Sequence, residues 1–285
     1  MVELRRRGLL AAGVAAGLAG CSPVDLLNAT VSDADVSETR DISYAAGERH
    51  RLDVYRPRSV GGGLPLMVFI YGGGWNAGDK GMYGFVARPL ARQGTIVVVP
   101  DYRLSPQVAY PAFLQDNAAA VAWAFAHARE LGADPERIVL MGHSAGAFNV
   151  AMLGLDPRWL AAAGVDRERL AGVVGLAGPY RFLPSADPDV IPVFGAANTP
   201  ANEPYAFADG RGPPMFLGAG TEDTIVQPRN TTELAARQRE RGGRVTSKLY
   251  PGVGHVGLIT AFAPVFQGRA PVLEDVAGFV AGARA

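Results

Sequence analysis

The stretch IVLMGHSAGAFNVAML, residues 138–153, decides the fold, because an apolar run changes there into a run with helical spacing. At the change lies Gly142-His143-Ser144-Ala145-Gly146, a serine flanked by two glycines. In open α/β sheets, ligands bind at the carboxyl ends of the strands. A serine in a sharp turn at that edge holds its hydroxyl above the sheet, and the glycines leave room for neighbouring segments. The pattern therefore indicates Ser144 as a candidate nucleophile.

Short apolar runs alternate along the chain with longer segments of helical spacing, which is typical of βαβ units. We therefore expect an α/β fold with a mostly parallel central sheet and helices on both faces. Residues 181–212, rich in proline, alanine and aspartate, interrupt this order and are predicted to form a short lid-like insertion. Strands are predicted at 50–57, 66–71, 95–102, 137–143, 170–178, 213–220 and 244–252, and helices at 112–132, 144–155, 231–242 and 270–285.

The bulk composition limits the classes of protein to consider. Apolar residues make up 48% and charged residues 19% of 285 residues, which is ordinary for a globular chain. Lysine plus arginine and aspartate plus glutamate number 27 each, so no basic excess favours a nucleic-acid partner. Nothing in the sequence indicates the oligomeric state.

The first residues have the form of an export signal. Three arginines at 5–7 precede the uncharged segment 8–20, which is too short to span a bilayer as a helix. The following Leu18-Ala19-Gly20-Cys21 resembles the end of a bacterial lipoprotein signal. This resemblance implies removal of residues 1–20, lipidation of Cys21 and a tether over residues 21–41, with one globular domain over 42–285. We expect an exported protein that is membrane-anchored on the periplasmic or outer face.

A serine hydroxyl needs a base within hydrogen-bond reach, and the base needs an acid that fixes its tautomer. His255 follows the last predicted strand in the glycine-rich loop YPGVGHVG, and Asp223 lies just beyond the strand at 213–220. The chain order serine, acid, histidine is the one expected of this fold. The three other histidines are not predicted to act as the base. We expect His50 and His127 to be solvated at the surface and His143 to pack away from the serine.

A negatively charged oxygen in the transition state also needs backbone N–H donors. The glycines at 72–74 directly follow the predicted strand at 66–71, at the edge where Ser144 lies. A second Gly-Gly-Gly at 61–63 precedes the same strand and therefore lies at the opposite edge. The turn at Ser144 should also direct the N–H of Ala145 towards the space above the hydroxyl.

Taken in order, these segments resemble the α/β-hydrolase superfamily, specifically the hormone-sensitive-lipase-like and kynurenine-formamidase-like carboxylesterases. The resemblance rests on LDVYRP, YGGGW, DYRLSP, GHSAG, GTEDTIV and GVGH, and covers the chain from about residue 48 to its end. It implies an α/β-hydrolase fold that needs no metal or cofactor. The implied roles are Ser144 as nucleophile, Asp223 as acid, His255 as base, Gly73, Gly74 and Ala145 as oxyanion donors, and Trp75 beside the acyl pocket.

One position departs from the family, because Tyr71 stands where a loop-anchoring histidine is usual. Asp79 and the group 101–103 are interpreted as hydrogen-bonded anchors of the loops around the site.

The sequence predicts a carboxylesterase that hydrolyses small esters, short-chain acyl or aryl, through an acyl-enzyme. An arylformamidase, an amidase or a peptidase-like hydrolase would use the same triad, so the motifs do not separate them. A protein of this fold that only binds partners typically lacks a member of the triad. Since a histidine base must be neutral to accept a proton, we expect activity to fall below about pH 6.

Overall fold

The computed structural model describes residues 23–59 and 61–283, so the predicted export signal and Cys21 lie outside the described residues. Eight strands form one sheet in the order β1-β2-β4-β3-β5-β6-β7-β8. The pairs β1–β2 and β2–β4 are antiparallel, and every later neighbouring pair is parallel. The strands are β1 (Val36–Ser43), β2 (Arg51–Pro57), β3 (Leu64–Ile70), β4 (Ile96–Pro100), β5 (Ala133–His143), β6 (Gly172–Leu176), β7 (Met215–Gly220) and β8 (Val245–Tyr250).

Helices cover both faces of this sheet, as predicted from the alternation of apolar runs and helical segments. All residues of β4, β6 and β7 are buried, which explains why these strands are apolar throughout rather than alternating. No helix within the described ranges is long and apolar enough to cross a membrane. The helices are α1 (Pro23–Ala29), α2 (Gly84–Arg92), α3 (Ala112–His127), α4 (Ala145–Leu155), α5 (Pro157–Ala162), α6 (Ile191–Phe194), α7 (Arg229–Glu240), α8 (His255–Thr260) and α9 (Val272–Gly282).

The helix predicted over 112–132 is shorter than expected. It ends at His127, and residues 128–132 form turns because β5 begins at Ala133, before the predicted start at 137. The carbonyl oxygen of Gly132 accepts hydrogen bonds from the amides of Gly63 and Leu64, at the start of β3. This segment therefore belongs to the sheet edge opposite Ser144 and not to the helix.

The prediction of a tether up to residue 41 is wrong for the part that the structure describes. Residues 23–29 form α1, and β1 pairs with β2 at the edge of the sheet. The carboxylate of Glu38 on β1 lies 2.6 Å from the Arg88 guanidinium on α2. Because an edge strand has one solvated face, its sequence VSETRDIS is polar and resembles a linker.

The predicted insertion, residues 181–212, consists of α6 and short 3₁₀ turns. Its centre is Glu203, a buried carboxylate that accepts hydrogen bonds from the amides of Phe182 (2.7 Å) and Leu183 (2.8 Å). Burial raises the pKa of Glu203. These bonds fold the segment back on itself, which places Phe182 and Phe194 near the carboxyl edge of the sheet.

Candidate active site

Ser144 lies in a strained turn between β5 and α4, with φ 55° and ψ −123°. Positive φ is uncommon for residues with a Cβ and is found most often at functional sites. A Cβ on Gly142 would lie 2.2 Å from the carbonyl oxygen of Gly146, and one on Gly146 would lie 2.0 Å from the oxygen of Ile70. Both contacts are with backbone atoms that cannot move aside, so the turn requires glycine at each position.

The structure brings the three predicted residues Ser144, His255 and Asp223 together. His255 Nε2 lies 2.9 Å from Ser144 Oγ, and His255 Nδ1 lies 2.8 Å from Asp223 Oδ2. The other carboxylate oxygen accepts hydrogen bonds from the amides of Ile225 (3.0 Å) and Val226 (2.8 Å). Because a carboxylate can only accept, the Nδ1 proton points to Asp223, and Nε2 offers its lone pair to the serine hydroxyl.

Two loops at the carboxyl edge carry the acid and the base. Asp223 lies in the loop after β7, and His255 begins α8 after β8. The Glu222 amide donates to the Val253 carbonyl oxygen at 3.0 Å, which ties the two loops together. Since β5, β7 and β8 run parallel, their carboxyl ends share the edge where Ser144 lies. The helix α8 was not predicted, because its six residues are too few for a recognisable period.

The glycine loop after β3 follows a tight path, with φ of +121° at Gly73, +58° at Gly74 and +62° at Trp75. The carbonyl oxygen of Gly73 accepts hydrogen bonds from the amides of Asn76 and Ala77, which closes the turn. Gly73, Gly74 and Ala145 line the same cavity as Ser144. The three predicted oxyanion donors therefore border the same space as the serine.

Tyr71 anchors this loop in the place of the usual histidine. Its hydroxyl donates to Asp101 Oδ1 (2.8 Å) and accepts from Arg49 Nη2 (2.7 Å). The ring stacks between Tyr83 and Tyr102, with centroid distances of 5.4 and 4.7 Å. Burial raises the pKa of Tyr71, so the phenol stays protonated and keeps donating. Sequence reasoning missed Arg49, because its three acceptors lie more than twenty residues away along the chain.

The other predicted loop anchors are confirmed. Asp79 accepts a hydrogen bond from the Gly81 amide at 2.8 Å and begins a 3₁₀ turn. Asp101 also accepts from the Lys80 amide at 2.8 Å. The Arg103 guanidinium donates two hydrogen bonds to the buried Asp116 carboxylate in a bidentate contact, at 2.7 and 2.9 Å.

Trp75, predicted to lie beside an acyl pocket, lines the cavity at Ser144 while its ring is almost entirely buried. Its indole Nε1 donates to Asn149 Oδ1 at 2.9 Å, which links the glycine loop to α4. The ring packs edge-on against Phe148 and Phe194 and stacks on Phe182. These contacts join the glycine loop, α4 and the insertion into one aromatic cluster.

The three remaining histidines have structural places. His143 is buried as predicted, and its Nε2 lies 3.2 Å from the His255 carbonyl oxygen. The prediction of a solvated His50 is wrong, because its side chain is 13% exposed and its Nε2 lies 3.1 Å from Asp116 Oδ1. His127 is half-buried and stacks on Trp123 at 4.2 Å.

We expect His143→Gln to reduce the acid sensitivity of the fold. Burial, with a smaller contribution from nearby His255, lowers the pKa of His143 from 6.5 to about 3. Between these values the unfolded chain binds a proton that the folded chain does not, so stability is lost as the pH falls below 6.5. Between pH 7.5 and 5 the wild type should lose roughly 2 kcal/mol more unfolding free energy than the variant. Urea unfolding at both pH values measures this, and equal losses would contradict it.

Two cavities meet at Ser144. The larger, of about 660 Å³, extends from the glycine loop and Trp75 towards the insertion and the loop after Asp223. Its lining includes charged side chains, namely Arg181, Asp187, Asp189 and Arg229. The smaller, of about 300 Å³, extends from Ser144 towards His255 and the N-terminal helix.

A mostly parallel sheet with a serine turn after β5, an acid after β7 and a histidine after β8 is the arrangement of the α/β-hydrolase fold, and this chain has that fold. The BD-FAE family model matches residues 52–185. The probable isoprenylcysteine alpha-carbonyl methylesterase ICMEL1 of Arabidopsis thaliana is 26% identical in a match that covers 85% of this chain and 56% of that protein. Carboxylesterase NlhH of Mycobacterium tuberculosis is 32% identical in a match that covers 66% of this chain and 65% of that protein. The chain spans less than two thirds of the length of either relative.

Solved structures share the same fold. Esterase B from Lactobacillus rhamnosis has a TM-score of 0.77 at 22% identity, covering 96% of this chain and 92% of that one. The esterase of Pyrobaculum calidifontis has a TM-score of 0.75 at 24% identity, covering 92% and 90%. The predicted α/β-hydrolase fold is thereby confirmed.

Proposed function

We propose that this protein is a serine carboxylesterase that hydrolyses small esters through an acyl-enzyme. The observation that carries the proposal is the unbroken hydrogen-bonded chain from Ser144 Oγ through His255 to Asp223, at 2.9 and 2.8 Å. Two relatives are named a carboxylesterase and a probable methylesterase, which supports an ester as the bond that is hydrolysed.

In the first half of the reaction, Ser144 Oγ attacks the ester carbonyl carbon while His255 Nε2 takes the hydroxyl proton. The carbonyl oxygen becomes negatively charged and accepts hydrogen bonds from the amides of Gly73, Gly74 and Ala145. The intermediate then expels the alcohol, whose oxygen takes the proton back from His255. The acyl group remains on Ser144.

In the second half, water replaces the alcohol. His255 Nε2 takes a proton from the water as its oxygen attacks the acyl carbon, and returns the proton to Ser144 Oγ as that bond breaks. Asp223 is buried and receives two backbone N–H groups, so its negative charge is held where it stabilises the imidazolium in both halves.

The lining of the larger cavity favours a small acyl group. Trp75 and Phe182, whose rings stack, line it together with the charged side chains of Arg181, Asp187 and Asp189 in the insertion. A short aliphatic or aryl acyl group can pack on the aromatic rings, whereas a long chain would also lie against the charged side chains.

The purified protein can be assayed with chromogenic acyl esters of graded length and with formyl-anilides, together with labelling by a fluorophosphonate probe. We expect labelling of one serine and faster hydrolysis of short acyl esters than of either long esters or formyl-anilides. Faster formyl-anilide hydrolysis would identify an amidase, and the absence of labelling would contradict the serine mechanism.

We also propose that Cys21 is lipidated and holds the protein at a membrane outside the cytoplasm. The support is the sequence Leu18-Ala19-Gly20-Cys21 after an apolar segment. Expressed in a bacterial host, Cys21→Ser should move the protein from the membrane fraction to the soluble fraction, since the thiol that would accept the lipid is lost. Ser22→Ala is the matched control and should stay with membranes. Unchanged membrane association of Cys21→Ser would exclude a lipid at this residue.

A further inference from the structure

The smaller cavity at Ser144, here named the α1 cleft, is bounded by a segment to which the sequence assigned no part in the site. Its lining comes from the helix α1, the segment before α2 with Phe85, the glycine loop and α8. Most of its lining is apolar, and none of the described residues that line it is charged. The side chains that matter here are Val24, Leu27, Met82, Phe85, Val256 and Ile259.

The α1 cleft and the larger cavity differ in which residues of the predicted triad line them. Both cavities touch Ser144, but His255 lines the α1 cleft and does not line the larger cavity. In ester cleavage, the leaving oxygen takes its proton from the same imidazole nitrogen that deprotonated the serine. The leaving group must therefore lie on the His255 side of Ser144, with its oxygen in reach of Nε2.

We propose that the α1 cleft binds the leaving alcohol of the ester, and that Val24 and Leu27 select esters of apolar alcohols. This inference rests on the proposed esterase function and names the substrate class for that site. An alkyl or aryl alcohol would remove apolar surface from water in the cleft, whereas extra hydroxyls would lose their bonds to water there. The acyl group then lies in the larger cavity, beside Trp75.

The helix α1 is held firmly enough to act as a wall. Asn28 Oδ1 accepts a hydrogen bond from the Phe85 amide at 2.8 Å, and its Nδ2 donates to the Gly81 carbonyl oxygen at 3.2 Å. Arg88 donates to the Asn28 carbonyl oxygen at 3.2 Å. These bonds fix the helix on the segment before α2 and keep Leu27 half-buried at the cleft.

Leu27→Trp tests the proposal, because the larger ring reduces the space in the cleft and leaves the residues Ser144 and His255 unchanged. The wild type and the variant are compared on methyl, butyl and hexyl acetate, and on ethyl acetate, butanoate and hexanoate. We expect kcat/KM for hexyl acetate to fall by about tenfold relative to methyl acetate, with the acyl series unchanged in slope. Leu26→Trp is the matched control, since Leu26 lies on the same helix, is 45% exposed and does not line the cleft. Leu27→Ala enlarges the cleft and should raise the preference for hexyl acetate.

The outcomes separate this inference from the function on which it rests. A loss that follows acyl length would assign the cleft to the acyl group and overturn the proposal. Equal losses on all esters would overturn it as well, as would the same selectivity change in Leu26→Trp. If Leu27→Trp folds poorly, Leu27→Ala decides the question, and an unchanged alcohol preference in Leu27→Ala would overturn the proposal. Failure of the wild type to hydrolyse any ester would instead contradict the proposed function itself.

Discussion

Ser144→Ala should lower kcat for ester hydrolysis by at least about 10³. The alanine side chain has no oxygen to attack the carbonyl carbon, while the proposed oxyanion donors and both cavities stay in place. The fold should persist, because the turn at residue 144 is fixed by backbone contacts around Gly142 and Gly146 and not by the hydroxyl. Initial rates with a short acyl ester, together with circular dichroism of both proteins, measure the effect.

The matched control is Ser185→Ala. Ser185 lines the same larger cavity, but its Oγ accepts a hydrogen bond from the Asp187 amide within the insertion. Its loss should leave kcat within about threefold of the wild type, as for a surface substitution away from the reacting atoms. Retention of a tenth of the wild-type activity by Ser144→Ala would show that another group attacks the ester.

The second large effect is expected for Asp223→Asn, which should lower kcat by about 10³ to 10⁴. The backbone amides of Ile225 and Val226 both donate to Oδ1, so the asparagine oxygen should take that place and its NH₂ should face His255 Nδ1. A donor at that position forces the imidazole proton onto Nε2. The ring then presents a proton, instead of a lone pair, to the serine hydroxyl.

Glu222→Gln is the control for this substitution, because Glu222 is the adjacent acid, is exposed and does not contact His255. It should change kcat by less than about threefold. Comparable losses in both variants would mean that general negative charge in this loop, rather than the contact with His255, supports the reaction. Normal activity of Asp223→Asn would remove Asp223 from the proposed triad.

Much of the sheet could be predicted from sequence, because its central strands are buried on both faces and have no reason to alternate. The segments 66–71, 95–102 and 170–178 were each located within a few residues for this reason. The serine and the acid followed, since each lies just past the carboxyl end of such a strand, whereas the histidine follows β8, of which only Tyr250 is buried. Their positions along the chain, and the rule that ligands bind at the carboxyl ends of parallel strands, were sufficient to predict the site.

The N-terminal elements could not be predicted in the same way. The strand β1 pairs through its backbone, and its side chains are mostly solvated, so hydropathy carries little signal there. The helix α1 has seven residues, too few to show a helical period. His50 was assigned to the surface because its partner, Asp116, lies 66 positions further along the chain. Contacts of this kind depend on tertiary packing and leave no local pattern.

Arg49 connects the loop of the first hairpin to the glycine loop at the carboxyl edge of the sheet. Its guanidinium donates to the Tyr71 hydroxyl and to the carbonyl oxygens of Gly78 and Tyr102, so it braces both ends of the glycine loop. The family match begins at residue 52, just beyond this arginine. A chain trimmed to that boundary would keep the serine, the histidine and the aspartate, but would lose the brace of the loop that faces them. We therefore expect the smallest active unit of the proposed esterase to include residues that precede the family match.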